Sequence, residues 1–369
     1  MLALFNPEHD LCLANGDANY VPPASALRFA RQGAYLMKIL YGDDVTALPA
    51  EDVNWSQVVG LLASEHKQSA TEDADGNSLL SIHTCFSIDE HRLIKSNQAN
   101  NSKFKVQNSL TAWGWDASLV RRLVKRGVPR ELMPTDEQLA TIRRLSHRRT
   151  ALVAAEACGI KPMGEEAFRL SEVQALLDRH RRVVLKAPWS GSGRGLRWVD
   201  NALSAHDADW LEKLLATQGS VIVEPRCEVM QDFALEYNIS SQQSAVSGQQ
   251  SISPCAGTHF AGYSLFATQN GVYRENLLLS DDEILQRLSG FVPLETISSA
   301  KTSMESWLQA YVAPKYEGPL GVDMFIYRTA DGYALNPMVE INFRHTMGHV
   351  AVALRGKTEE KTFRPEPRV

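Results

Sequence analysis

Residues 183–196 constrain this chain more than any other stretch: Val183-Val184-Leu185-Lys186-Ala187-Pro188-Trp189-Ser190-Gly191-Ser192-Gly193-Arg194-Gly195-Leu196. Three consecutive apolar residues, two of them β-branched, make a short strand that ends on a lysine. The glycine-punctuated turn behind it lets backbone N–H groups approach an anion closely, and Ser192 and Arg194 add donors. Lys186 can reach the same anion as a point charge. The spacing is not a Walker loop, which needs Gly-Lys-Ser/Thr, and it is not G-x-G-x-x-G. A plain turn has the same composition, so a phosphate role depends on what else the chain supplies.

The C-terminal third supplies a hard-oxygen set. Residues 321–327 read as a strand and residues 333–343 as its antiparallel partner across the turn at Asp331-Gly332. Glu340 and Asn342 are two apart, so they share a face, and Asp323 can join them from the neighbouring strand. Two carboxylates and an amide oxygen suit Mg²⁺, which keeps water and phosphate oxygens for its other positions. Exposed charges on a sheet face give the same letters. However, the neighbours Val339, Ile341 and Phe343 are apolar, and a carboxylate among them needs a partner.

In this order the motifs resemble the ATP-grasp superfamily. A strand lysine (Lys186) precedes a flexible glycine loop (Ser190 to Gly195). A strand then ends in a glutamate hinge (Val221-Ile222-Val223-Glu224-Pro225-Arg226), followed by Asp323 and Glu340-Ile341-Asn342. The match covers about residues 146–350. The resemblance implies ATP and Mg²⁺ as cofactors. Lys186 and Arg148 would hold the phosphates, and the loop Ser190, Gly191, Ser192, Gly193, Arg194, Gly195 would close over them. Adenine would lie along Pro225, Arg226 and Cys227 with Glu224 facing its amine, and Asp232, with Glu236 in reserve, would hold the ribose. Asp323, Glu340 and Asn342 would carry the metal, and Arg344 would face the transferring phosphoryl group or the acyl-phosphate oxyanion. Arg148 stands where the family usually has lysine, Phe343 replaces the proline of Asn-Pro-Arg, and Gly321 stands where D-alanine-ligase-like members carry arginine, a departure that argues against carrying their peptide substrates over to this chain. The implied reaction is ATP-dependent activation of a small-molecule carboxylate as an acyl phosphate for attack by an amine or thiol. A small-molecule kinase on the same fold and a nucleotide-binding module without turnover are the alternatives.

The implied fold is α/β (α+β): an N-terminal α/β pre-ATP-grasp-like domain over residues 1–145, then a two-lobed grasp domain with antiparallel sheets, its first lobe over 146–220 with the glycine-rich loop and its second over 221–355 with the metal site, and a frayed tail over 356–369. In the first domain a buried strand at residues 2–5 runs into a polar loop, and loops at the carboxyl ends of strands are where such domains bind ligands. Glu8, His9, Asp10 and Asn19 are therefore substrate candidates, although Asp and Asn also cap turns without any ligand. His259, within the glycine-punctuated residues 255–263, is another candidate. Residues 24–41 have helical spacing, 64–78 read as a surface loop, 78–86 as a strand, 97–102 as a turn, and 106–115 as a strand ending in Trp113-Gly114-Trp115. Arg121, Arg122, Lys125 and Arg126 read as a solvated helix face.

Charged residues make up 22% of the chain and the formal net charge is −5, which gives no basis for nucleic-acid binding. The five cysteines, Cys12, Cys85, Cys158, Cys227 and Cys255, are scattered and include no C-x-x-C. They point to a reducing cytoplasm rather than a disulfide framework. No apolar run is long enough for a membrane span or a signal segment. Homo-oligomerisation is left open.

Overall fold

The structure, a computed structural model, describes residues 1–56, 110–191, 195–240, 257–269 and 271–365. Several expectations therefore lie outside the described residues: the loop at 64–78, the strand at 78–86, the turn at 97–102, Cys85, Cys255, and Ser192, Gly193 and Arg194 of the glycine loop.

Three sheets organise the chain. The first is parallel, in the order β2-β1-β3, built from β1 (Leu2–Phe5), β2 (Thr46–Pro49) and β3 (Leu110–Ala112). All four residues of β1 are buried, as the central strand of a covered parallel sheet requires. The helical spacing over 24–41 resolves into two helices, Ala24–Gly33 and Leu36–Tyr41. An added Cβ at Gly33 would overlap the Phe5 ring, so the first helix ends where it meets β1.

The second sheet has the order β4-β7-β5-β6, from β4 (Glu165–Ala167), β5 (Arg182–Lys186), β6 (Leu196–Asp200) and β7 (Val221–Pro225). All its pairings are antiparallel. Helices Leu170–His180 and Ala205–Gln218 cover it, burying Leu176, Leu177 and Leu211 against Val183, Leu185 and Val223. Ser204 and Asp207 form a reciprocal capping box that starts the second helix.

The third sheet is the largest, in the order β12-β11-β8-β9-β10-β13. It comprises β8 (Val229–Ser240), β9 (Gly257–Gln269), β10 (Val272–Leu277), β11 (Gly318–Thr329), β12 (Gly332–Asn342) and β13 (Thr362–Phe363). Its inward face buries Phe233, Leu235, Tyr237, Val322 and Met324 under helices Asp281–Leu288 and Leu294–Trp307. A register shift between Asp323 and Phe325 marks a bulge in the β11–β12 pair, beside Pro337, which cannot donate to a ladder.

Two readings are corrected here. The segment after Arg355 is not all frayed, because β13 pairs with β10 at Asn276↔Phe363 and Leu277↔Thr362. The polar stretch after β1 is not an open loop either: helix His9–Asn15 starts there and ends at Gly16 in the left-handed region (φ 76°).

Candidate active site

A cavity of about 580 Å³ runs between the second and third sheets and reaches the N-terminal domain. β5 ends in it with Lys186, and Glu224 of the antiparallel β7 lies on the same face, because its register partner Val184 is two residues before Lys186. Lys186 Nζ lies 2.6 Å from Glu224 Oε2, and both side chains are buried. Pro225, Arg226 and Cys227 continue along the same wall. The Arg226 guanidinium itself turns away to Asp200, at 3.1 Å.

Period-2 alternation builds the floor. Asp232, Ala234 and Glu236 of β8 line the cavity, and so do Ser264, Phe266 and Thr268 of β9, their register neighbours. Thr268 Oγ1 donates to Asp232 Oδ2 at 2.7 Å, and burial raises the Asp232 pKa. Glu236 is sealed below by three partners: Ser264 Oγ and Thr346 Oγ1 each donate at 2.8 Å, and His349 Nδ1 lies 3.0 Å away. Burial opposes its charge, but His349 and these donors outweigh burial and hold the carboxyl below its ordinary pKa. That arrangement needs Gly348, where any Cβ would overlap Glu236 Oε1.

The middle of the cavity holds the oxygen set. Asp323 and Glu340 are register partners, and Asn342 Nδ2 donates to Asp323 Oδ2 at 3.1 Å. Burial, then the charge of Glu340, push the Asp323 pKa well above the usual carboxylate range. The donor set of two carboxylates and an amide oxygen is of the kind that suits a hard divalent ion, although here Arg148 already pairs with Glu340. Among the described residues no group of three His, Cys, Asp or Glu side chains forms a metal cluster, and the set is two carboxylates and an amide.

Arg148 closes this region. Its Nη1 is 2.7 Å from Glu340 Oε2, Nε donates to Ala187 O at 3.0 Å, and Nη2 donates to Ser190 Oγ at 3.2 Å. Three donors in three directions use the whole guanidinium fork, which a lysine could not reproduce. Of the glycine loop, the described Ser190 and Gly191 line the cavity, and an added Cβ at Gly195 would overlap Ser190.

Arg344 lies beyond Asn342. It donates through Nε to Asp10 Oδ1 and through Nη2 to Asp10 Oδ2, both at 2.8 Å, and also to Asn342 Oδ1 at 3.1 Å. Burial opposes the Asp10 charge, but the Arg344 guanidinium holds the Asp10 pKa below its ordinary value. Gly191 presses against Asp10 so closely that a Cβ would overlap its carboxylate.

Of the N-terminal candidates, Asp10 alone lines the main cavity. Glu8 is 1% exposed and pairs with Arg122 at 2.8 Å; burial, more than Arg122, decides the direction of its pKa, which is raised. His9 is 1% exposed, with Nδ1 at 3.3 Å from Asp116 Oδ2. Asn19 is turned to Asp17 in a local turn, and its N–H donates to Asp17 Oδ1 at 2.8 Å. His259 reaches Ser240 Oγ at 3.0 Å on the exposed end of the sheet and does not line the cavity. Arg122 is not a solvated charge, because it bridges Glu8 and Glu51. Sequence reading missed Ser264, Thr268, Thr346 and Phe29 in the lining. For Ser264 and Thr268 the signal was present, as polar residues at period 2 along β9.

No family model and no curated protein matches the chain. Solved structures are similar at low identity. An N5-carboxyaminoimidazole synthetase from Staphylococcus aureus complexed with ADP is 11% identical, with 99% of this chain and 80% of that chain covered and a TM-score of 0.45. A biotin carboxylase–β,γ-ATP complex from Campylobacter jejuni is 13% identical, with 95% and 67% covered and a TM-score of 0.46. D-alanyl-alanine synthetase A from Vibrio cholerae is 12% identical, with 64% and 66% covered and a TM-score of 0.41. The chain's own sheets are mixed α/β with a parallel N-terminal sheet and two antiparallel lobes, the arrangement that the ATP-grasp resemblance implies. No helix among the described residues is long and apolar enough to cross a membrane.

Proposed function

We propose that this chain is an ATP-dependent ligase that activates a small-molecule carboxylate as an acyl phosphate for attack by an amine or thiol. The observation that carries this reading is the convergence, in one cavity, of Lys186, Arg148 and the Asp323–Glu340 carboxylate pair beside the strand end Glu224–Cys227.

In this reading the strand end and Phe266 sandwich the adenine, and Asp232 accepts from the ribose hydroxyls. Lys186 and Arg148 exchange their carboxylate partners for phosphate oxygens as nucleotide enters, so their positive charge stays matched throughout. Asp323, Glu340 and Asn342 would hold Mg²⁺, which when bound neutralises phosphate charge. Arg344 orients the carboxylate nucleophile. A carboxylate oxygen then forms the new bond to the γ-phosphorus while the bridging oxygen–phosphorus bond breaks and its electron pair leaves with ADP. An amine or thiol next bonds to the acyl carbon, phosphate departs with the carbon–oxygen pair, and the nucleophile's proton passes to solvent. Ser190 and Gly191, which line the cavity, help to exclude water while the acyl phosphate exists.

The experiment is ADP release from ATP with pooled small carboxylates, with hydroxylamine as the trapping amine. Carboxylate-dependent ADP release with matching hydroxamate supports the ligase. ADP release that follows hydroxyl compounds, with a phosphate ester as product, makes it a kinase on the same site. Nucleotide binding without turnover for any acceptor makes it a binding module.

A further inference from the structure

We propose that the N-terminal end of the cavity takes an α-amino acid with an apolar side chain as the carboxylate substrate, an inference that rests on the ligase reading above. The Asp10–Arg344 pair is the only place among the described lining residues where the N-terminal domain meets the segment following β12 through opposite charges. Its two side chains keep 19% and 16% of their surface exposed, and both line the cavity.

Every nitrogen of Arg344 is engaged, by Asp10, Asn342 Oδ1 and His345 O, so a simple acid taken up by Arg344 displaces Asp10 and leaves its carboxylate unmatched, and a simple amine that draws Asp10 away leaves Arg344 unmatched. Either outcome strands a half-buried charge. A zwitterion satisfies both, with its carboxylate on Arg344 and its ammonium on Asp10, and so replaces one ion pair with two. Asp10 is held ionised by Arg344, as an ammonium partner requires.

The N-terminal domain's other contribution to the cavity is largely apolar. Phe29, Trp113 and Met347 all line the cavity and belong to one apolar cluster. Trp113 is fixed next to the charged pair, because its carbonyl accepts from His345 N at 2.8 Å and Phe5 packs against its ring with centroids 5.0 Å apart. Aromatic walls with a few convergent polar groups suit an apolar side chain anchored by its α-substituents. The arrangement also aims the reacting group. A carboxylate on Arg344 lies beside Asn342, and hence beside Asp323, at the phosphoryl end of the cavity.

The test is calorimetric binding of L-phenylalanine, L-leucine and L-methionine to the full chain with MgADP present, beside the amine-free 3-phenylpropanoate and the carboxylate-free phenethylamine. At least one amino acid should bind about tenfold or more tightly than both analogues. In Asp10→Asn that preference over 3-phenylpropanoate should shrink to about threefold or less, while MgADP affinity, which also reports the fold, is kept. MgADP binding with no amino acid preferred over the analogues overturns this inference and leaves the ligase reading standing. No MgADP binding to the wild type overturns the ligase reading and this inference with it.

Discussion

Arg148 Nη1 lies 2.7 Å from Glu340 Oε2, and this contact ties the helix start at residue 149 to the strand that carries the oxygen set. The same guanidinium holds Ala187 O and Ser190 Oγ at the mouth of the glycine loop. Arg148→Met should therefore weaken ADP binding by about tenfold or more, the effect of losing charged hydrogen bonds of about 1.5–3 kcal/mol. Arg148→Lys should recover only part of that, since a point charge cannot reach three acceptors at once. Calorimetry with ADP on both variants checks the order. Full recovery by lysine would contradict it.

Arg122 neutralises two carboxylates, Glu8 and Glu51, beneath the N-terminal sheet. Arg122→Met leaves both uncompensated and should destabilise the fold by about 3–5 kcal/mol. Nucleotide affinity, measured well below the lowered Tm, should be unchanged, because Arg122 does not line the cavity. A Tm equal to wild type would refute the buried pairing.

Gly348→Ala forces a methyl group into Glu236, whose carboxylate is already enclosed by Ser264, Thr346 and His349. Overpacking of this kind costs about 1–3 kcal/mol. The urea midpoint should fall without a change in slope.

His147 sits against Trp189 and Arg149, and burial, then the Arg149 charge, hold its pKa down to about 4. The folded state thus keeps it neutral down to that value, whereas the unfolded chain takes up a proton near pH 6.5, the usual value. Between pH 6.5 and 4 the unfolded state binds more protons, so this group's contribution to stability falls as the pH falls. Tm measured from pH 7.5 to 5 should drop less steeply in His147→Gln than in wild type. An identical slope would remove His147 from the account.

Much of the site was legible because strands repeat every two residues. Glu340 and Asn342 had to share a face, and a lysine ending an apolar strand had to emerge at its tip, as Lys186 does. Partners across the fold were not legible. Glu8, His9, Asp10 and Asn19 carry similar letters, yet Arg122 takes Glu8, Asp116 takes His9, Asp17 takes Asn19, and only Asp10 meets the cavity. Each choice depends on a residue that is distant in sequence or on a turn only the backbone reveals. The edge strand Thr362–Phe363 was hidden for a similar reason: two residues carry no periodicity, and their place is set by β10.

The most direct test of the central claim is calorimetric titration of ATP into the protein with and without Mg²⁺, comparing wild type with Glu340→Gln. The account predicts binding that Mg²⁺ strengthens by about tenfold or more in the wild type. The same ion should have little effect in the variant, which keeps its fold but lacks one of the two facing carboxylates. Wild-type protein that binds no ATP under either condition, or a variant that responds to Mg²⁺ as fully as the wild type, would contradict it.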